Sequence, residues 1–161
     1  MLSTAIILAA SVALGQADQV SPSYEHLKAL EVFVGDWQAT LTQKDVEIFK
    51  GTVSYKWLKN KGFLQATALD EKGDHVATEI FGWDAATNKM RLWTFKPDGG
   101  RNEAVISIEG DDFLGDYDMM QPDGTTKKSV VKGKFSGKEF NVTVRFDSTP
   151  DENLKGTYRR K

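Results

Sequence analysis

Glu139-Phe140-Asn141-Val142-Thr143-Val144-Arg145-Phe146-Asp147 is the stretch that decides the fold. Phe140, Val142, Val144 and Phe146 alternate with Asn141, Thr143, Arg145 and Asp147. Successive side chains of a strand point to opposite faces, so this period of two specifies a strand with one buried face. The same rhythm holds upstream. Trp37, Ala39 and Leu41 alternate with Gln38, Thr40 and Thr42, and Val53, Tyr55 and Trp57 alternate with Thr52, Ser54 and Lys56.

Turn residues punctuate the alternating runs at regular intervals: Lys44-Asp45, Asn60-Lys61-Gly62, Lys72-Gly73-Asp74, Thr87-Asn88, Pro97-Asp98-Gly99-Gly100, Gly110-Asp111-Asp112, Pro122-Asp123-Gly124, Ser136-Gly137-Lys138 and Thr149-Pro150-Asp151. Each supplies the positive or fixed φ that a reversal needs. The pattern predicts hairpin after hairpin, about ten strands in all. Strands in series leave two raw edges unless the sheet closes, so the expected fold is all-β: a single antiparallel up-and-down barrel. A two-sheet sandwich is the rival, disfavoured because its crossovers need longer links. One short helix is expected over 23–33. Pro22 suits its first turn, Tyr24, Leu27, Leu30 and Val34 form its apolar stripe, and Gly35 ends it. Such a helix is placed to plug one mouth of the barrel.

At 161 residues, 40% hydrophobic and 27% charged, the chain fits one globular domain. Leu2 to Leu14 is an uncharged, mostly apolar run followed by Gly15-Gln16-Ala17, which fits a cleavable export signal. The expected division is a signal peptide over 1–17, a linker over 18–22 and a barrel domain over 23–161. The expected location is the periplasm or outside the cell, with no stable membrane anchor after cleavage. A net charge of −2 gives no electrostatic ground for a nucleic-acid partner. Cysteine is absent and His26 and His75 are the only histidines, which removes thiolate chemistry and leaves little for a metal.

Gly35-Asp36-Trp37, at the junction of helix and first strand, resembles the G-x-W signature of lipocalin-type (calycin) barrels. The resemblance implies that Trp37 closes one barrel end beneath an Arg of the last strand. Arg160 shares parity with Leu154 and Tyr158 and is the first candidate; Arg159 is the second. More closely, the chain is similar to the uncharacterised lipocalin-like domains of exported bacterial proteins. The matching pieces are residues 30–37, Asn60-Lys61-Gly62-Phe63-Leu64, Phe81-Gly82-Trp83-Asp84 and Leu92-Trp93-Thr94-Phe95. That group implies a fold and no activity. Ten-stranded haem barrels of the nitrobindin type ligate iron through a barrel histidine, and neither His26 nor His75 is so placed. No cofactor and no metal site are expected.

Aromatic residues on strands read either as core or as the walls of a ligand chamber. Gln65, Glu79, Arg91 and Glu103, counted outward from the turns, fall roughly level across neighbouring strands. Facing out, they form a ladder in which Arg91 bridges carboxylates; facing in, they are polar anchors in an apolar chamber. The length of the turn after Glu109 decides the facing of Glu103. A two-residue turn pairs Ile108 with Phe113 and sends Glu103 out, and a three-residue turn brings it in. The acidic residues Asp111, Asp112, Asp116 and Asp118 and the basic stripe Lys127, Lys128, Lys132 and Lys134 read as solvated strand faces.

The leading functional expectation is a binding module for a small, mostly apolar molecule. Its site would comprise Tyr55, Trp57, Glu79, Arg91, Trp93, Glu103 and Tyr117, with Gly35, Trp37 and Arg160 closing the barrel. The alternatives are an enzyme, an isomerase or hydrolase using Glu79 and Glu103 as a carboxylate pair, and a structural or interaction module with a filled interior. No catalytic residue is assigned, and oligomeric state is left open.

Overall fold

The computed structural model describes residues 19–161. The signal-peptide reading lies outside these residues, as does Asp18 of the expected linker. A turn of α-helix, α1 (Tyr24–Leu27), runs into a 3₁₀ segment, Lys28–Phe33. Ten strands follow: β1 (Gly35–Gln43), β2 (Val46–Trp57), β3 (Phe63–Asp70), β4 (His75–Asp84), β5 (Lys89–Phe95), β6 (Arg101–Glu109), β7 (Asp112–Met120), β8 (Thr126–Ser136), β9 (Glu139–Phe146) and β10 (Leu154–Arg160). Each pairs antiparallel with the next, and β10 returns to β1 with Trp37 opposite Arg160. The sheet is a closed barrel, which leaves no edge unpaired and excludes the sandwich.

The turn chemistry explains the hairpins. Lys44 and Asp45 both take positive φ, as a two-residue hairpin loop requires. Gly110 adopts φ +59 at the first position of a two-residue turn, which sets Ile108 opposite Phe113 and Glu109 opposite Asp112. The acidic and basic runs meet across β7 and β8 on the outer surface, except that Lys127, opposite Met119 and in step with Ser129, departs from the expected outer stripe and pairs with Glu152 at 2.8 Å. Lys134 reaches Asp112 at 3.2 Å and Lys128 reaches Asp118 at 3.6 Å.

The expected single helix over 23–33 is α-helical only in its first turn. Leu27, Leu30 and Phe33 are all buried. Their spacing of three residues puts them on one side of a 3₁₀ helix, whereas at 3.6 residues per turn they would drift off the barrel. The buried face seals one end. The Phe33 ring lies 5.0 Å from Phe135, 5.1 Å from Tyr55 and 5.2 Å from Phe140, with Phe81 and Phe113 at 6.0 Å. Upstream, the Ser21 backbone N–H donates to the Asn60 carbonyl, so the stretch before α1 is tied to the barrel wall.

Trp37, 1% exposed, is packed beneath this plug, and its indole N–H donates to the Phe33 carbonyl at 2.6 Å. Gly35 turns the chain from helix into β1 at φ +123, a conformation that L-residues with a Cβ resist. Ten strands enclose more width than side chains fill from one end alone. The aromatic plug therefore occupies one half of the barrel and leaves a hollow in the other.

Candidate functional site

The hollow has a volume of about 330 Å³. Its walls are mostly apolar, among them Leu41, Val53, Ala66, Ala68, Leu92 and Val131, and Phe33 forms its floor. Into it project Glu79 of β4, Thr94 of β5, Asn102 of β6, Tyr55 of β2, Tyr117 of β7, Ser129 of β8 and Tyr158 of β10. Lys96 stands at the rim, where β5 gives way to the Pro97–Gly100 turn.

Among the described residues lining the cavity, Glu79 is the one carboxylate. The Thr87-Asn88 hairpin fixes its facing. Asp84 accepts the backbone N–H of Ala86 at 3.0 Å and the Thr87 hydroxyl at 2.7 Å, which sets the turn. The register then runs Asp84 opposite Lys89 to Glu79 opposite Thr94. Ala77, Glu79 and Phe81 alternate into the lumen. Glu79 is partly accessible through the cavity, but protein surrounds it. Burial pushes its carboxyl up to about 7, and a long hydrogen bond of 3.5 Å from the Thr94 hydroxyl only partly opposes this.

The phenols of Tyr55, Tyr117 and Tyr158 are held neutral, by burial first and by the nearby Glu79 charge second. Among the described residues none of these hydroxyls has a protein hydrogen-bond partner. The side-chain oxygen of Asn102 is buried and likewise unpartnered. Buried polar groups are normally satisfied, so a cavity lined by unsatisfied ones is equipped to receive polar atoms.

The sequence-derived site is brought together only in part. Tyr55, Glu79 and Tyr117 line the cavity. Trp57 shares the inward parity of Tyr55 but lies beyond the plug, edge-on to the Tyr24 ring at 5.4 Å. Arg91, Trp93 and Glu103 stand on the outer face, which corrects the expectation that they line the chamber. Arg91 is opposite Gly82, three residues from Glu79, and an odd offset in a period of two reverses the facing. Trp93 is opposite Glu103, and the two-residue turn at Gly110-Asp111 sends both outward. Gln65 also faces out, because it pairs with Ile80 while Ala66 pairs with Glu79.

Arg91 does bridge two carboxylates, but they are Glu103 at 3.3 Å and Asp84 at 3.5 Å, outside the barrel. Glu79 and Glu103 lie on opposite sides of the wall, so the carboxylate pair required by the enzymatic alternative does not form. At the closed end, Arg160 lies over Trp37, while Arg159 points outward to Glu139 at 2.8 Å. Thr94, Asn102, Ser129 and Tyr158 are cavity residues that the sequence reading passed over. Tyr158 was within reach through the parity it shares with Leu154 and Arg160. The others depended on the registers of β5, β6 and β8.

Comparison with known proteins bears on the fold. No family model matches the sequence, and no curated protein matches it either. Among solved structures, the barrel is similar to fatty-acid-binding protein 1 of Echinococcus granulosus. The match has a TM-score of 0.56 and 16% identity, and covers 81% of this chain and 98% of that one. It is also similar to apo lipid binding protein 8 of Caenorhabditis elegans, with a TM-score of 0.56, 11% identity, and coverage of 82% and 97%. The chain thus shares its closed up-and-down barrel fold with these proteins. At such identities the likeness concerns the fold alone.

Proposed function

We propose that this chain is an exported barrel that binds a small, mostly apolar molecule in its cavity, with Glu79 and the facing tyrosines holding the molecule's polar end. The observation that carries this reading is the apolar hollow of about 330 Å³ into which unpartnered hydroxyls and one carboxylate converge. Ligand sites combine this plan with volumes of roughly 300–1,000 Å³, and a hollow at the low end suits a small molecule. The names of the fold neighbours, a fatty-acid-binding protein and a lipid binding protein, agree with it. Export rests on the Leu2–Leu14 run. The motifs from Gly35-Asp36-Trp37 onward favour kinship with lipocalin-like domains of exported bacterial proteins.

Native mass spectrometry after incubation with a bacterial lipid extract tests the reading. The expected result is a discrete adduct of one small molecule per chain, absent from an Ala68→Trp variant whose indole fills the hollow. A bare mass under all conditions would overturn it.

A further inference from the structure

Given that the cavity takes a ligand, we propose that the ligand's polar end is a protonated amine seated against Glu79 and the phenols of Tyr55, Tyr117 and Tyr158. The ligand class is an alkyl- or arylalkyl-ammonium, and the site disfavours a carboxylate. This rests on the reading above and names its chemistry.

The charges inside the barrel carry the inference. Among the described residues lining the cavity there is one carboxylate, Glu79, and one cation, Lys96. Two further cations have inward parity, and both are engaged elsewhere: Arg160 by the carbonyls of Val32 and Val34 at the closed end, and Lys127, two residues before Ser129 on β8, by Glu152 at 2.8 Å. The groups around Glu79 can be named element by element. Ala66 flanks it from β3 and Thr94 from β5, and Asn102 stands beyond Thr94 on β6. Tyr55, Tyr117 and Tyr158 come from β2, β7 and β10, while β1, β8 and β9 contribute Leu41, Ser129, Val131, Val142 and Val144. None of these is cationic. Lys96 is the next inward position after Thr94, about 7 Å further along the strand toward the rim.

Glu79 therefore lies in a low-dielectric chamber without a counter-charge, which disfavours its ionised form. An ammonium supplies that charge and donates up to three hydrogen bonds, matched by the carboxylate, the phenol oxygens and the Asn102 oxygen. The tyrosine rings offer further attraction to a cation. A carboxylate at the same depth would meet a like charge. Docked instead on Lys96, it would lay its chain across Glu79 and leave the hydroxyls unused.

The test is calorimetric titration of the purified protein with decylammonium, decanol and decanoate, each below its micelle concentration, at pH ~8, where both Glu79 and the amine are charged. Decylammonium is expected to bind at least roughly tenfold tighter than decanol, and decanoate weaker than decanol. Glu79→Gln should bring decylammonium and decanol to equal affinity. Decanoate binding as tightly as decylammonium, or an ammonium preference that survives Glu79→Gln, would overturn the inference and leave the binding function standing. Binding of none of the three would remove both. The wild-type ranking decides the matter even if the variant does not fold.

Discussion

The guanidinium carbon of Arg160 lies 4.5 Å from the centre of the Trp37 ring, while its nitrogens donate to the carbonyls of Val32 and Val34. Carbonyls at the end of a helical segment lack donors of their own. One side chain from the last strand thus caps the helix, covers the indole and lies beside the β1–β10 pairing that closes the sheet. At the closed end, three parts of the chain meet at one planar cation.

Removing that cation should loosen the closure. Hydrogen bonds to a charged group contribute about 1.5–3 kcal/mol each, and a cation over an indole about 0.5–2 kcal/mol. These terms overlap, so Arg160→Ala is expected to cost about 2–4 kcal/mol in urea denaturation. Arg160→Lys should recover less than half, because an ammonium does not reproduce the planar fork. A loss under about 1 kcal/mol for the alanine variant would contradict this role.

Glu79 makes stability depend on pH, and the sign follows from its raised pKa. Below the ordinary carboxylate value of 4.5 the group is protonated in both folded and unfolded chains. As pH rises through 4.5 toward about 7, the unfolded chain releases its proton first, so the folded state loses relative stability. Partial access to cavity water reduces the effect to on the order of 2 kcal/mol. Melting temperatures of the ligand-free protein should therefore fall over that window. Glu79→Gln should flatten the profile and melt higher than wild type above it. Identical profiles would refute the buried, unpaired carboxylate.

The barrel was legible in the sequence because its signals are local. Alternation along residues 139–147 and turn pairs such as Lys44-Asp45 each act within a few residues. The facing of the middle strands was not legible, because a single residue of turn length decides it. Gly110-Asp111 and Gly110-Asp111-Asp112 are equally good turns on paper, and the choice between them moved Glu103 and Trp93 from chamber wall to outer surface. Glu79 and Arg91 looked level by counting from turns, but their odd offset across β4 and β5 separates them. Thr94 and Asn102 were overlooked because short polar residues on a strand carry no mark of burial until the register is known.

The outer placement of Arg91 has its own consequence. Arg91→Ala and Glu103→Gln should leave ligand affinity in the cavity unchanged, and Glu103→Gln, at the exposed end of the pair, should shift stability by no more than about 1 kcal/mol. Titration of each variant with a ligand bound by wild type checks this. A tenfold loss of affinity in either would place these residues in the site after all.

Gly35 is expected to resist substitution. A Cβ there would strain the backbone at φ +123 and approach the Arg160 Nη1 to 3.3 Å. Gly35→Ala should destabilise by roughly 1–3 kcal/mol. Combined with Arg160→Ala its cost should be less than additive, because the two share the same space. Full additivity in a double-mutant cycle would contradict that coupling.

The hollow beyond the aromatic plug is tested most directly by a neutral fluorescent probe, Nile red, titrated into wild type and Ala68→Trp. The account predicts saturable enhancement at one probe per chain in wild type, lost when the added indole fills the chamber while the melting transition is kept. Equal enhancement in both proteins, or none in wild type, would contradict it.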